Sequence, residues 1–253
     1  MRIFLKTEDE IILLRAASQL ATCALIEVGR HVVPRLALSH LRNKVVNAVM
    51  RTVPTESNSG KEALSSDTEF TFFVNGAYIE PSLEGECMLC EGDWLTVNCW
   101  VCLNGYYSFG AHTFIVGSSQ DDEPLTSTLR DMLRQVARRA SAGHSIKEMS
   151  RTVYSLHSHD PYVLQKTFGH GVGRNRVENP ILRMNPGVND TVLLKEGMCL
   201  VIALAFKHGR SHFIKPRLMH ESTFHNPFVP FGTTVVVRPG RPEILTSFET
   251  IVK

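Results

Sequence analysis

Two Asn-Gly dipeptides constrain the fold of this chain more than any other feature, because each lies between two apolar runs. Asn75-Gly76 and Asn104-Gly105 suit the left-handed backbone of a tight two-residue turn, so each predicts a β-hairpin. The flanking runs that we predict as strands are residues 70–74, 77–79, 94–103 and 106–116. Antiparallel sheet is therefore expected to form a large part of the fold.

Helix signals lie on both sides of these hairpins. Thr7 with Glu10, and Ser145 with Glu148, have the spacing of capping boxes, in which a hydroxyl and a carboxylate satisfy free N–H groups at a helix start. Apolar residues then recur at helical spacing. The predicted helices are residues 8–28 ending at Gly29, 37–51 with Val46 inward, 124–142 ending at Gly143, and 146 to about 159.

The remaining segments complete an α+β pattern. Residues 54–68 are polar and predict a loop, and later strands are predicted at residues 163–168, 198–206, 212–217 and 233–238. The order is two helices, hairpins, two helices and hairpins, which favours two similar halves packed together.

Composition excludes few classes of function. The chain of 253 residues is 43% hydrophobic with a net charge of +2, so nucleic-acid binding is not indicated. Arg130, Arg134, Arg138 and Arg139 are interpreted as a solvated helix face. No apolar run is expected to reach the roughly 18 residues of a membrane span, and the charged N-terminus argues against a secretory signal. We therefore expect no membrane partner and a cytoplasmic location.

Two Cys-x-x-Cys pairs raise the question of a zinc site. Cys87 and Cys90 precede Cys99 and Cys102 by a short spacer, and the second pair lies in a predicted strand, where its side chains point to opposite faces. We therefore expect all six cysteines to be free and these four to be core thiols. Apart from His170, most of the histidines are expected to be exposed or hydrogen-bonded in the core.

The segment Phe168-Gly169-His170-Gly171-Val172-Gly173-Arg174, followed by Glu178-Asn179-Pro180, is the most distinctive local pattern. It resembles the GHGIGR…HEEP stretch of type I methionine aminopeptidases. Residues 5–28, 91–98, 104–117, 194–198 and 233–246 resemble further segments of that family in the same order. The resemblance implies a single domain over residues 1–253 with the pita-bread fold, in which two pseudo-symmetric αβ halves surround a central antiparallel sheet.

The resemblance also implies five metal-ligand positions, which in the family hold two divalent ions through two Asp, one His and two Glu. Here these positions carry Asn98, Phe109, His170, Ala203 and Gly232. Only the histidine remains, and dications that share bridging ligands need carboxylates. We therefore expect no metal cofactor.

The resemblance further places two accessory histidines at Glu80 and Val177, and an aromatic residue of the methionine pocket at Arg176. These departures favour an inactive relative that acts as a peptide- or protein-binding scaffold. Its partner is unknown, although a peptide or protein N-terminus would suit the cleft. Two alternatives stay open: a metal-free hydrolase in which His170 acts with Glu80 or Glu178, and a residual metallo-aminopeptidase that removes N-terminal methionine.

Overall fold

The computed structural model describes residues 2–53, 64–117, 124–157, 163–164, 166–185, 192–207 and 228–247. Within these residues lie four α-helices: α1 (Glu8–His31), α2 (Leu38–Thr52), α3 (Pro124–Arg138) and α4 (Ile146–His157). The ten strands are β1 (Glu69–Val74), β2 (Ala77–Ile79), β3 (Trp94–Leu103), β4 (Tyr106–Ile115), β5 (Val163–Leu164), β6 (Thr167–Gly171), β7 (Glu178–Arg183), β8 (Cys199–Lys207), β9 (Phe228–Val236) and β10 (Glu243–Ile244). The predicted α+β class is confirmed.

Helix α1 begins at the predicted capping box, with Thr7 and Glu10 bonded reciprocally. Its predicted end at Gly29 is wrong, because the helix continues to His31 and the Val32 N–H donates to the Val28 carbonyl. Gly29 does not adopt the left-handed conformation of a helix-ending glycine, and Val32 at the C-cap is extended, with φ −71°.

Helix α1 contradicts the prediction that no apolar run reaches the length of a membrane span. Among the residues with assigned positions it is the one helix long and apolar enough to cross a membrane, by length and composition alone. Residues 11–28 contain just two charged side chains, Arg15 and Glu27, although polar residues interrupt the apolar run. More than half of its apolar window is buried inside the fold, as in a core helix.

The other helices agree with the prediction in position and differ in detail. The Ser145–Glu148 capping box is formed. Helix α3 ends at Arg138, four residues before the predicted end, and Val46 of α2 is 36% exposed rather than inward. Arg130 is buried at 6% exposure, so the predicted solvated arginine face is wrong at this position, which adjoins buried Leu129 where α3 packs on β8 and β9.

The strands form one sheet in the order β2-β1-β3-β4-β9-β8-β6-β7, with β10 paired to β9 and β5 to β8. Both Asn-Gly turns are present, with Asn75 and Asn104 at positive φ. Strand β7 was not predicted. It contains Pro180, which lacks an amide donor, and it lies at the sheet edge, where proline is tolerated. The predicted strand at 212–217 and residues 54–63 of the predicted loop lie outside the described residues.

The buried hydrophobic residues are divided between the two halves of the fold. One cluster lies between α1, α2 and strands β1 and β3, a second joins α3 and α4 to strands β6 to β9, and a third connects them at the sheet centre. All six cysteines are free thiols, as predicted. Cys87, Cys99 and Cys102 are buried, whereas Cys90 is exposed, because it lies in the turn before β3 rather than in a strand.

Candidate functional site

Strand register brings three of the replaced ligand positions into contact at the sheet centre. Ala111 of β4 pairs with Gly232 of β9, which pairs with Ala203 of β8. A Cβ placed on Gly232 would lie 2.5 Å from Cε1 of Phe109 and 3.2 Å from Cβ of Ala203. The Phe109 ring therefore fills the space beside Gly232, and no side chain fits there without a shift.

The aromatic packing continues from Phe109 to the retained histidine. Trp100 pairs with Phe109 across β3 and β4, and their ring centroids are 4.7 Å apart. Trp100 also stacks on His170, with centroids 6.1 Å apart and planes within 9°. Trp100 was missed in the sequence, although it follows Asn98 by two strand positions and must therefore share its face.

Asn98 lies on the same sheet face, opposite Ala111 of β4 and Thr71 of β1. Its side-chain Oδ1 is buried and accepts no hydrogen bond within the described residues. An amide oxygen is a weaker ligand for a hard dication than the carboxylate expected from the resemblance, because it is uncharged.

His170 is held in one orientation. Its Nδ1 lies 2.9 Å from the carbonyl oxygen of Gly171, so Nδ1–H donates and Nε2 carries the lone pair. Burial lowers the pKa of His170, and the bond to Gly171 opposes this in part. The neutral imidazole therefore offers one acceptor nitrogen.

Neither carboxylate proposed as a partner of His170 contacts it. Glu178 accepts from Lys6 Nζ at 2.5 Å, and both side chains are 5% exposed. Its other oxygen accepts from the Asn175 amide at 3.1 Å. Glu80 is exposed at the start of the short 3-10 turn Pro81–Leu83. The structure therefore does not assemble the predicted acid–base pair, because Lys6 holds Glu178 and Glu80 is at the surface.

Two further predicted positions lie in the loop after β6. Val177 is 58% exposed and contributes no polar group. Arg176 places its guanidinium 5.6 Å from the Trp100 ring and 2.8 Å from Oε2 of Glu69. A cation therefore lies over the aromatic cluster, where the resemblance implied an aromatic residue.

The donors around this site do not fit a pair of divalent ions. They comprise one imidazole nitrogen and one amide oxygen, with a phenyl ring, a methyl group and a bare Cα at the other three positions. Across the part of the chain with assigned coordinates, no group of three or more His, Cys, Asp or Glu could hold a metal ion. Two dications would lack the carboxylates that bridge them and offset their charge.

Comparisons with known proteins agree with this architecture. The model of metallopeptidase family M24 matches residues 12–239. The methionine aminopeptidase of Borreliella burgdorferi is 26% identical over 255 residues, covering 97% of this chain and 98% of that protein. Methionine aminopeptidase 1 of Bacillus subtilis is 24% identical over 215 residues, covering 84% and 85%.

Solved structures show the same fold. The methionine aminopeptidase of Thermotoga maritima matches with a TM-score of 0.78 and 21% identity, covering 97% of this chain and all of that one. Prolidase from Pyrococcus furiosus matches with a TM-score of 0.71 and 18% identity, covering 96% of this chain and 65% of that one. The predicted pita-bread fold is thus confirmed, and the chain belongs to metallopeptidase family M24, with a methionine aminopeptidase-like architecture.

Proposed function

We propose that this protein is a non-hydrolytic member of its family that retains the fold as a peptide- or protein-binding scaffold and uses no metal cofactor. The observation that carries the proposal is that the Phe109 ring leaves no room for a side chain at Gly232, whose strand partner is Ala203. These are three of the five positions at which the family resemblance places metal ligands, and here they pack against one another.

The chemistry of the missing ligands supports loss of hydrolysis. In a two-metal site, the ions lower the pKa of a bridging water and stabilise the developing charge. Altering groups that merely orient the ligands already weakens metal binding or activity about 10–100-fold. Replacement of four direct ligands has a larger effect, and the single nitrogen of His170 cannot hold two ions.

The shape of the remaining cleft supports a change of ligand. Arg176 brings a charged group to the place where an aromatic residue would line a methionine pocket, and burial of an apolar thioether beside a guanidinium is disfavoured. A peptide or protein N-terminus remains the proposed partner. A cytoplasmic location is part of this proposal and is consistent with the burial of α1 in the core.

The two alternative functions make different demands on the site. A metal-free hydrolase needs a base beside His170, whereas Glu178 is paired with Lys6 and Glu80 is exposed. A residual metallo-aminopeptidase needs at least one ion bound with a reactive water, and a lone imidazole gives such an ion little affinity.

Release of methionine from Met-Ala-type peptides in the presence of Co²⁺ or Mn²⁺ tests the proposal. The Bacillus subtilis methionine aminopeptidase 1, assayed in parallel, is the positive control. We expect no release above that of buffer. Metal-dependent turnover would refute the proposal in favour of the residual aminopeptidase. Hydrolysis that persists with a chelator and disappears in His170→Ala would refute it in favour of the metal-free hydrolase.

A further inference from the structure

The loop after β6 is tied to the start of β1 across the aromatic cluster. Arg176 NH1 donates to Oε2 of Glu69 at 2.8 Å, and NH2 donates to the backbone carbonyl of Asp67 at 2.5 Å. These partners lie more than 100 residues from Arg176 in the sequence. We infer that Arg176 is an internal latch that covers the approach to Trp100 and His170.

Two aromatic rings lie next to the guanidinium of Arg176. Arg176 Cζ lies 5.6 Å from the Trp100 ring centroid and 5.8 Å from that of Tyr107, within the range of cation–π attraction. The Tyr107 hydroxyl donates to Oδ2 of Asp67 at 2.6 Å. Asp67 is therefore fixed through its backbone by Arg176 and through its side chain by Tyr107.

The ionisation states suit a closed latch at neutral pH. The hydrogen bond from Arg176 lowers the pKa of Glu69, which therefore carries a negative charge. The hydrogen bond to Asp67 raises the pKa of Tyr107 to about 12, so its hydroxyl remains a donor. Each interaction of the latch thus has its donor and acceptor in the required form.

Exposure increases from the sheet centre toward the latch. Phe109 is 7% exposed, Trp100 and His170 are half-buried, and the side chains of Arg176 and Glu69 are 35% and 52% exposed. The latch is therefore the outermost layer over the site. We therefore expect the free Nε2 of His170 to be more accessible when Arg176 and Glu69 separate.

The interactions that keep the latch closed are weak. Exposed ion pairs and cation–π contacts are individually weak, and salt screens the ion pair. Opening leaves no buried charge without a partner, because both groups are already in contact with water. The inference does not depend on whether the protein hydrolyses peptides, since it concerns access to the site rather than the chemistry there.

Quenching of Trp100 fluorescence by acrylamide tests the latch. The chain has two tryptophans, so Trp94→Phe leaves Trp100 as the reporter. In that background we expect Arg176→Ala, and also Glu69→Gln, to raise the quenching constant by about twofold, because the contacts that hold the cover are weak. Salt at about 0.5 M is expected to act in the same direction.

Arg174→Ala is the matched control. Arg174 is in the same loop, and its guanidinium lies 4.8 Å from the Tyr106 ring and does not contact Trp100. Quenching in this variant should equal that of the parent. The latch is refuted if Arg176→Ala and Glu69→Gln both quench like the parent while circular dichroism shows an intact fold. An equal rise with Arg174→Ala would refute it as well.

Discussion

Phe109 and Gly232 form a complementary pair, because the ring edge of Phe109 occupies the position at which any side chain on residue 232 would begin. Both residues are buried, at the junction of β4 and β9. The name of metallopeptidase family M24 denotes metal-dependent peptidases, whereas here an aromatic ring and a glycine occupy two positions at which the resemblance implies metal ligands.

Substitution of Gly232 by alanine tests this packing. The added methyl group would overlap the Phe109 ring, so we expect a loss of about 1–3 kcal/mol in the free energy of unfolding, measured by urea denaturation. Gly85→Ala is the control, because a Cβ there meets nothing within 4 Å.

The double variant Phe109→Ala with Gly232→Ala sharpens the test. Phe109→Ala alone should cost about 3–5 kcal/mol through the cavity it leaves. The methyl group at residue 232 should then fit, so the two losses should not add. Additive losses would show that the two residues do not compete for the same space.

The ion pair between Lys6 and Glu178 fixes the N-terminal segment to the loop that follows His170. Removal of one partner leaves a buried charge, so Lys6→Met should destabilise the protein by about 3–5 kcal/mol. Lys6→Met with Glu178→Leu should recover much of this loss. Arg30→Ala, which breaks the exposed Arg30–Glu27 pair, should cost less than about 0.5 kcal/mol.

Urea titration of the four proteins measures these differences. A small effect of Lys6→Met on its own would mean that water reaches Glu178 in solution and that the pair is not a buried anchor.

Introducing carboxylates at the four replaced positions tests whether metal binding there depends on their negative charge. A variant with Asn98→Asp, Phe109→Asp, Ala203→Glu and Gly232→Glu should melt below the parent without metal, because the clustered carboxylates repel one another. Mn²⁺ or Co²⁺ at about 100 times the dissociation constant should stabilise it by about 2.7 kcal/mol.

The neutral analogue of that variant carries Phe109→Asn, Ala203→Gln and Gly232→Gln and keeps Asn98. It has the same side-chain sizes without the charges, so metal should not change its melting temperature. Differential scanning fluorimetry measures the melting temperatures. An equal response of both variants to metal would contradict the electrostatic argument.

His112 predicts a pH dependence of stability. Both ring nitrogens are buried and have no hydrogen-bond partner among the described residues, which corrects the expectation of an exposed or hydrogen-bonded histidine. Burial, assisted by nearby Arg130, lowers its pKa from 6.5 to about 3. The unfolded chain therefore binds a proton below pH 6.5 that the folded protein does not take up until about pH 3.

Above pH 6.5 His112 does not lower the free energy of unfolding. As the pH falls from 6.5 toward 3, protonation of the unfolded chain lowers it progressively. Between pH 8 and pH 5 the loss should be about 2 kcal/mol. His112→Phe keeps an aromatic ring between Phe114 and Phe231 and should lack this part of the pH dependence. Urea titrations of both proteins at the two pH values measure it, and parallel losses would show that His112 does not titrate as described.

Local signals in the sequence predicted local structure well. Each capping box and each Asn-Gly turn depends on residues within four positions of one another, and all four formed. Helix ends were less predictable, since α1 continues past Gly29 to His31 and α3 ends at Arg138, before Gly143. Strand β7 was not predicted, and its position at the sheet edge accommodates Pro180.

The contacts that define the site could not be predicted from spacing. Arg176 meets Asp67 and Glu69, and Lys6 meets Glu178, across more than 100 residues. The loss of carboxylates could be read from the sequence once the family resemblance was recognised. The filling of the space by Phe109, and its tilted ring contact with Trp100, required the register of β3, β4 and β9.

Equilibrium dialysis of the purified protein against Co²⁺ or Mn²⁺, followed by elemental analysis, tests the central claim most directly. The Bacillus subtilis methionine aminopeptidase 1 serves as the positive control. The account predicts that this chain retains no ion above the level of its His170→Ala variant. Retention of two ions per chain, lost on substitution of His170, would contradict it.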